Sequence, residues 1–426
     1  MSNKNDFNVS RRRFLQGVGG VGAAAVGGFG FPAIVKSAED GGNGPIRIGH
    51  LTPRTGFLGQ LGEYGLRASR MAIDEINAEG GLLGRPTALI AEDSVKPGVA
   101  VNKVDQLINR EGVVALLGEI SSSTALAIGE AAMRNKRLYI NTGANSDALR
   151  GENCNRFMFH VEGCNTMYTK TIGQWQVAQG QIEGSEWYFL TADYAFGHDL
   201  RRVSQRFYGA NGGTIVGDDL VPTGTTDFTS YILKIRQADP DLVYLNLAGT
   251  DQTTFLKQFN EYGLGFPLAG GVMDTAQFWA AGLDNLTGNW QSLWYHGLDN
   301  PSAKRFTAAY MDRYGMPPEN QAWGDYVSTR ILAQAINETK STRSEALIEY
   351  LESGVEFDLL KDHPGSFRDW DHQLLQEMYV VEVKESSQSE NERDIFHIVE
   401  GVPGEGQPLT AIQPTREENA CTMQSI

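Results

Sequence analysis

Two groups of residues have the types and spacing that chemistry could use. Gly17, Gly19 and Gly22 fall in the order G-x-G-x-x-G, with Glu39 and Asp40 downstream, the outline of a site that cradles a pyrophosphate. Asp369, Asp371 and His372, in "RDWDHQ", could pass a proton between a base and an acid. The glycine motif fails on context. It needs a buried strand before it and a helix after it, because the phosphates sit on free helix N–H groups. Upstream there is only "MSNKNDFNVSRRRFL", and Gly17 to Val35 holds seven glycines and Pro32, a poor helix. The nucleophile-elbow G-x-S-x-G, the zinc motif H-E-x-x-H and the phosphate loop G-x-x-x-x-G-K-[ST] are all missing, as is any C-x-x-C. His50, His160, His198, His296, His363, His372 and His397 show no metal-ligand spacing. The expectation is a protein with no cofactor and no catalytic set.

The first 38 residues read as an address. A polar, basic start is followed by a modestly apolar stretch and then small residues at Ser37 and Ala38. Ser10-Arg11-Arg12-Arg13-Phe14-Leu15-Gln16 resembles the twin-arginine signal pattern S-R-R-x-F-L-K, departing at Gln16. The resemblance implies export by the twin-arginine translocase, already folded, and delivery to the periplasm. Residues 1–38 carry a net charge of +4, so the remainder carries −20 against −16 for the whole chain. So acidic a protein is a poor partner for nucleic acid or anionic lipid. In an oxidising compartment one disulfide is expected among Cys154, Cys164 and Cys421. Three pairings are possible. Cys164 lies in the first turn of an expected helix, which favours Cys154 with Cys421 and a pinned C-terminal tail.

What must position a site is an alternation of short apolar runs with amphipathic stretches. "IRIGHL", "PTALIAEDS" and "VVALLG" are strands; "GEYGLRASRMAIDEINAEGG" and residues 97–110 are helices between them. Near Ser185 the pattern restarts with the strand "EWYFLTA", the helix "FGHDLRRVSQRFYGANGG", the strand "TIVGDDLV", a helix over 228–238 and the strand "DLVYLNLAG". Both first helices close on glycine pairs, "INAEGG" and "YGANGG". The expected fold is therefore α/β, with two Rossmann-like lobes of parallel sheet joined by a multi-strand hinge. Helices over about 302–313 and 319–338 and a strand pair in "FRDWDHQLLQEMYVVEVK" are expected to return to both lobes. The expected division is 1–38 signal, 45–160 plus about 290–365 lobe one, 161–289 plus about 366–385 lobe two, and 386–426 a polar tail.

"IRIGHLTPRTGFLGQLGEYGLRASRMAIDEINAEGGLLGR", "LLGEISSSTALAIGEAAMRNKRLYINTGANSDAL", "FLTADYAFGHDL" and "FRDWDHQ" appear in that order. Together they resemble the periplasmic substrate-binding proteins of branched-chain-amino-acid-type ABC transporters over about residues 45 to 385. The resemblance implies a non-enzymatic receptor that captures a small polar solute between the lobes: an amino acid, an aromatic or short carboxylic acid, or an amide. It would deliver that solute to an ABC transporter permease and its ATPase. The alternative on the same fold is a periplasmic sensing subunit that signals to a membrane receptor. In the family the "RDWDHQ" stretch is structural, at the final strand turn, so Asp369, Asp371 and His372 are expected to be scaffold.

Ligand contacts belong on loops leaving the C-terminal ends of parallel strands. The resemblance places Phe57, Gln60 and Leu61 on an apolar wall, Ser122 at a helix N-terminus that can hold a carboxylate, with Ser123 beside it, and Ala144 and Asn145 on a third loop. From lobe two it places Phe196 where a ring stacks on the solute, with Tyr194 nearby, then Gly249, Thr250 and Asp274. Arg54 and Glu119 are expected to be solvated loop residues, and Asp251 to cap the helix it begins. Amino-acid binders of the family hold the ammonium with an acid at the position of Met273, one residue before Asp274. That departure argues against a leucine-like ligand, because a buried ammonium without a counter-charge costs several kcal/mol.

Overall fold

The computed structural model describes residues 44–423, which belong to one compact unit, Lys36–Ile426. Residues 1–38, expected to be a twin-arginine signal, lie outside the described residues.

The first parallel sheet is built by β1 (Ile46–Thr52), α1 (Gly59–Ala78), β2 (Thr87–Asp93), α2 (Pro97–Asn109), β3 (Ala115–Gly118), α3 (Ser122–Arg134), β4 (Leu138–Asn141) and β5 (Met158–His160). Its strand order is β2-β1-β3-β4-β5. The chain then forms α4 (Asn165–Ala178), β6 (Glu186–Ala192), α5 (Ala195–Ala210), β7 (Thr214–Val221), α6 (Thr229–Ala238), β8 (Leu242–Asn246), α7 (Gly249–Glu261), β9 (Leu268–Gly270), α8 (Thr275–Ala281) and β10 (Asn289–Ser292). The second parallel sheet runs β7-β6-β8-β9. Both sheets thus begin in the middle, step to one side and then wind the other way, leaving a crevice beside the first strand at its carboxyl end. The echo heard in the two glycine-closed helices is a repeat of topology.

Local chemistry explains the expected elements. On α1, Leu61, Leu66, Ala68, Met71 and Ile76 are buried, and Gly81, in the left-handed region, ends the helix by donating to the Ile76 carbonyl. A Cβ on Gly81 would stand 2.0 Å from the Arg85 carbonyl oxygen, so only glycine fits the turn into β2. A second obligatory glycine, Gly118, closes β3: its φ is +111° and a Cβ would meet the Leu51 carbonyl oxygen at 2.1 Å.

The late elements pack back onto earlier ones. After β10 come α9 (Pro301–Tyr314), α10 (Asn320–Thr339) and α11 (Ser344–Leu351), and α10 packs along α1 and against β3 while α11 packs on β4. The short strands β11 (Ser366–Phe367) and β12 (Leu374–Leu375) pair with each other. β13 (Met378–Val383) then pairs antiparallel with β10 and with β14 (Phe396–Val402), a layer held against α4. The stretch after 385, expected to be a polar tail, therefore supplies a strand. Its apolar residues Phe396, Ile398, Val399 and Val402 are too interrupted to give a readable period.

Beyond β14 the chain is strapped back onto the protein. Lys170 donates to the Gln413 carbonyl and to Glu418, Arg368 to the Pro414 carbonyl, and Asn419 to Asp371. Cys421 is disulfide-bonded to Cys154 with 5.6 Å between Cα atoms, and Cys164 is buried and unpaired. The link closes a 267-residue separation, so losing it frees a long loop in the unfolded chain. Cys421→Ser is expected to lower stability by about 2–5 kcal/mol. Melting of the wild type with and without reductant checks this: a reductant-insensitive melt would remove the covalent tie from the fold.

Candidate functional site

The loops at the carboxyl ends of the two sheets meet each other. Phe57, after β1, accepts a hydrogen bond on its carbonyl from Thr250 N at 3.1 Å, and its ring meets the Tyr194 ring edge-on at 5.8 Å. Gly249 makes the approach possible, since a Cβ there would stand 2.3 Å from the Phe57 carbonyl oxygen. Tyr194 in turn packs on Phe196 at 5.5 Å. Phe57, Tyr194, Phe196 and Thr250 therefore come together, although Phe196 is itself buried and Thr250 exposed.

Other expected contacts are committed elsewhere. Leu61 is fully buried in the apolar core and Gln60 is exposed. Arg54 pairs with Glu63 at the surface. Ser122 does not cap α3, whose N-cap position is Ser121; its Oγ instead accepts from Ser146 N at 3.2 Å, pinning the loop after β4. Ser123 Oγ lies 3.1 Å from Ser121 Oγ. Ala144 uses both backbone groups within its loop, its N–H donating to Asn141 Oδ1 and its carbonyl accepting from Asn141 and Arg150. Asp251 ties down the loop before α6 by accepting from Gly224 N, rather than capping α7.

Glu119, expected to be exposed, is buried. Gly118 and Glu119 both take positive φ, which turns the chain inward, and Glu119 Oε1 accepts from the N–H groups of Ile120 and Ser121. Its Oε2 has no partner. Burial pushes this carboxyl up to about 7 against the hydrogen bonds that lower it.

Three more buried carboxyls, Glu162, Asp274 and Glu319, influence one another electrostatically. Asp274 stands at the start of α8, buried, and its side chain makes no capping bond. Burial pushes it up to about 6, with Gln321 beside it pulling the other way. Met273 is in the core, so Asp274 is the acid this loop offers. Glu162, just after β5, accepts on Oε1 from Tyr168 Oη at 2.5 Å and from Asn145 Nδ2 at 3.0 Å, while Oε2 has no partner. Burial drives it up to about 8; the Tyr168 bond opposes, and Asp274 adds to the rise. Glu319, at the N-cap of α10, accepts from Ala322 N on Oε1 and leaves Oε2 unpartnered. Burial, then repulsion from Asp274, holds it well above the usual carboxylate range.

Glu162, Glu319, Asn320 and Gln321 were missed from the sequence. Glu162 obeys the strand-end rule already used for the other loops, but β5 is only three residues long. The α10 residues reach the site from a helix N-terminus some 170 residues from the nearest expected contact of lobe one, and only the α1–α10 packing brings them there. Among the described residues, no group of three His, Cys, Asp or Glu side chains is arranged to hold a metal ion, and no helix is long and apolar enough to cross a membrane.

"RDWDHQ" is scaffold in its contacts. Buried Asp371 accepts from Arg368 on both carboxylate oxygens. Gln373 reaches across to the carbonyls of His160 and Glu162, and His372 stacks on Phe159 at 3.7 Å and bonds Glu352.

Comparison with known proteins gives concordant matches. The family profile described as "Periplasmic binding protein" matches residues 45–389. Among curated proteins, the Leu/Ile/Val-binding protein homolog 7 of Brucella melitensis is 27% identical over 337 residues, covering 75% of this chain and 84% of the relative. Among solved structures, a periplasmic binding protein from Burkholderia mallei superposes with a TM-score of 0.82 at 28% identity, covering 89% of this chain and 99% of the other. A branched chain amino acid ABC transporter periplasmic ligand-binding protein from Burkholderia xenovorans LB400 gives 0.77 at 25% identity over the same shares.

Proposed function

The chain belongs to the periplasmic binding protein family, and from that premise we propose that it is a solute receptor of an ABC transporter, capturing a small polar solute between its two lobes. One observation carries the reading: loops from the carboxyl ends of two parallel sheets face each other and touch through Phe57, Tyr194 and Thr250. Enclosure by hinge closure supplies affinity without chemistry. The strand crossings after β5, after β10 and near β12 are the hinge of this reading, with lobe boundaries near 160, 290 and 365. Phe57, Tyr194, Phe196, Ser123, Asn145, Thr250 and Asp274 are the proposed lining. Ser122 and Ala144 shape the loop, and Leu61 supports it from the core.

The permease and its ATPase are the proposed partners, and the periplasm the proposed location. Residues 1–38, with Ser10 to Gln16, support export by the twin-arginine translocase. Lysine replacement of Arg11 and Arg12 should hold the protein in the cytoplasm, as cell fractionation would show.

A thermal-shift screen against amino acids, aromatic acids, short carboxylates, amides, ureas and amines tests the receptor reading. A solute at a hundredfold excess over its Kd adds about 2.7 kcal/mol of stability. No shift with any solute class would sink it. Ser122→Ala, which unpins Ser146 N, should weaken a hit by about tenfold.

A further inference from the structure

These three carboxyls have a charge problem that the residues around them do not solve. Glu162, Asp274 and Glu319 come from β5, α8 and α10 and lie within electrostatic range, Asp274 acting on both of the others. The two glutamates each leave one buried oxygen without a donor. Two nearby basic side chains have their N–H groups committed to neutral partners, and the charge of Arg150 offsets the rise of Glu162 only in part. Arg150 spends all five N–H groups, on Gln373 and on the carbonyls of Ala144, Ser146, Glu162 and Gly163. Lys361 donates to Gln376 Oε1 and the Glu377 carbonyl, and lies over the Trp323 ring at 4.5 Å.

Two amides point independently to a missing occupant. Asn320 is fully buried and its amide hydrogen-bonds Tyr168, whose hydroxyl bonds Glu162, while its Oδ1 has no partner. Gln321 is also buried; it sits by Asp274, its Oε1 lies 2.3 Å from where a Cβ on Gly143 would stand, and that oxygen is unpartnered. The unspent groups are thus four acceptor oxygens, on Glu162, Glu319, Asn320 and Gln321. Buried acceptors of this kind call for N–H or O–H donors, and these carboxyls ionise inside the fold only beside a positive charge.

At the opposite end of the site an anion would compete with the Glu119 carboxyl. The N–H groups of Ile120 and Ser121, leading into α3, are taken by the carboxylate of Glu119, while Ser122 Oγ accepts from Ser146 N and keeps its O–H. A carboxylate placed at that helix start would lie against another carboxylate.

We propose that the solute is a net-cationic, N–H-rich molecule, an amine, amidine or guanidine without a compensating carboxylate, whose charged head is received by Glu162, Asp274 and Glu319 with Asn320 and Gln321. The proposal rests on the receptor reading and narrows it, setting this chain apart from relatives named for leucine, isoleucine and valine, which are zwitterions.

Isothermal titration and thermal shift of the purified protein with putrescine, agmatine, leucine, benzoate and 1,4-butanediol decide the matter. Putrescine or agmatine should bind, while leucine, benzoate and butanediol, the uncharged counterpart of putrescine, should bind at least about a hundredfold more weakly. Glu162→Gln and Glu319→Gln should each weaken the cation by about tenfold or more. The butanediol comparison needs no variant, so it stands even where a substitution impairs folding. Tight binding of leucine or benzoate would overturn the cationic assignment while leaving the receptor intact. Cation binding untouched by both glutamine variants would overturn it as well. Silence from all five probes would overturn it too, and the receptor reading falls only if the wider solute screen is also silent.

Discussion

Asp371→Ala is expected to destabilise the protein by about 3–5 kcal/mol, whereas Asp369→Ala, two residues away, should move stability by less than about 0.5 kcal/mol. The two aspartates are indistinguishable in a short motif. Asp369 is exposed. Asp371 is fully buried and receives Arg368 Nε at 2.8 Å, Gln373 N at 3.2 Å, Asn419 Nδ2 at 3.0 Å and a second Arg368 N–H. Removing its carboxylate strands the buried guanidinium of Arg368, and a charge left alone costs far more than the pair is worth. The loss also loosens the tail through Asn419 and the crossing through Gln373. Next door, His372 bonds Glu352, and although burial raises that glutamate, Arg156 and His372 hold it down at about 2. Thermal melts of the two variants check the contrast. Equal effects would mean that the turn is not built on the Arg368–Asp371 pair, and an acid/base role for Asp369 would regain standing.

What could be read from the chain, and what could not, follows from the range of the interactions involved. Local signals carried the alternation of strands and helices: the periodicity of α1, the glycine pair at Gly80-Gly81, the all-apolar β3. The strand-end rule led to Phe57 and Tyr194, because loop position depends only on the sheet to which the loop belongs. It failed to say which way a side chain turns. Leu61 faces the core since it lies on the buried stripe of α1, and Glu119 is buried since two successive positive φ values fold its loop inward, a feature that a non-glycine residue does not announce. Glu319, Asn320 and Gln321 had no local signal at all. They look like an ordinary helix start after Pro317-Pro318, and only the packing of α10 on α1 and β3 carries them to the acids of the other lobe. β14 was invisible for a related reason: a half-exposed strand whose four apolar residues, Phe396, Ile398, Val399 and Val402, do not alternate is specified by its partner β13 more than by its own pattern.

Glu162→Gln should gain stability relative to the wild type as pH rises, by about 4 kcal/mol between pH 5 and pH 8. The carboxyl is raised by burial from 4.5 to about 8 in the folded protein, so across that window the native state keeps a proton that the unfolded chain has released. A native state that binds more protons loses stability as pH increases, at about 1.4 kcal/mol per pH unit per group. The loss starts near the unfolded value and is complete above about 8. Glutamine keeps the Oε1 acceptor for Tyr168 and Asn145 but has no charge to desolvate, so the variant does not share the decline. Taking the difference between variant and wild type cancels the other groups that titrate nearby, including Glu119 and Asp274, except for their coupling to Glu162. Melting temperatures of both proteins at pH 5 and pH 8, without added solute, give the measurement. A difference that stays constant with pH would mean that Glu162 is ionised throughout and already compensated. The same linkage fixes the sign for a cationic solute: it must meet the ionised carboxylate, so its binding expels the proton from Glu162 and its affinity should climb over the same interval in which the empty protein weakens.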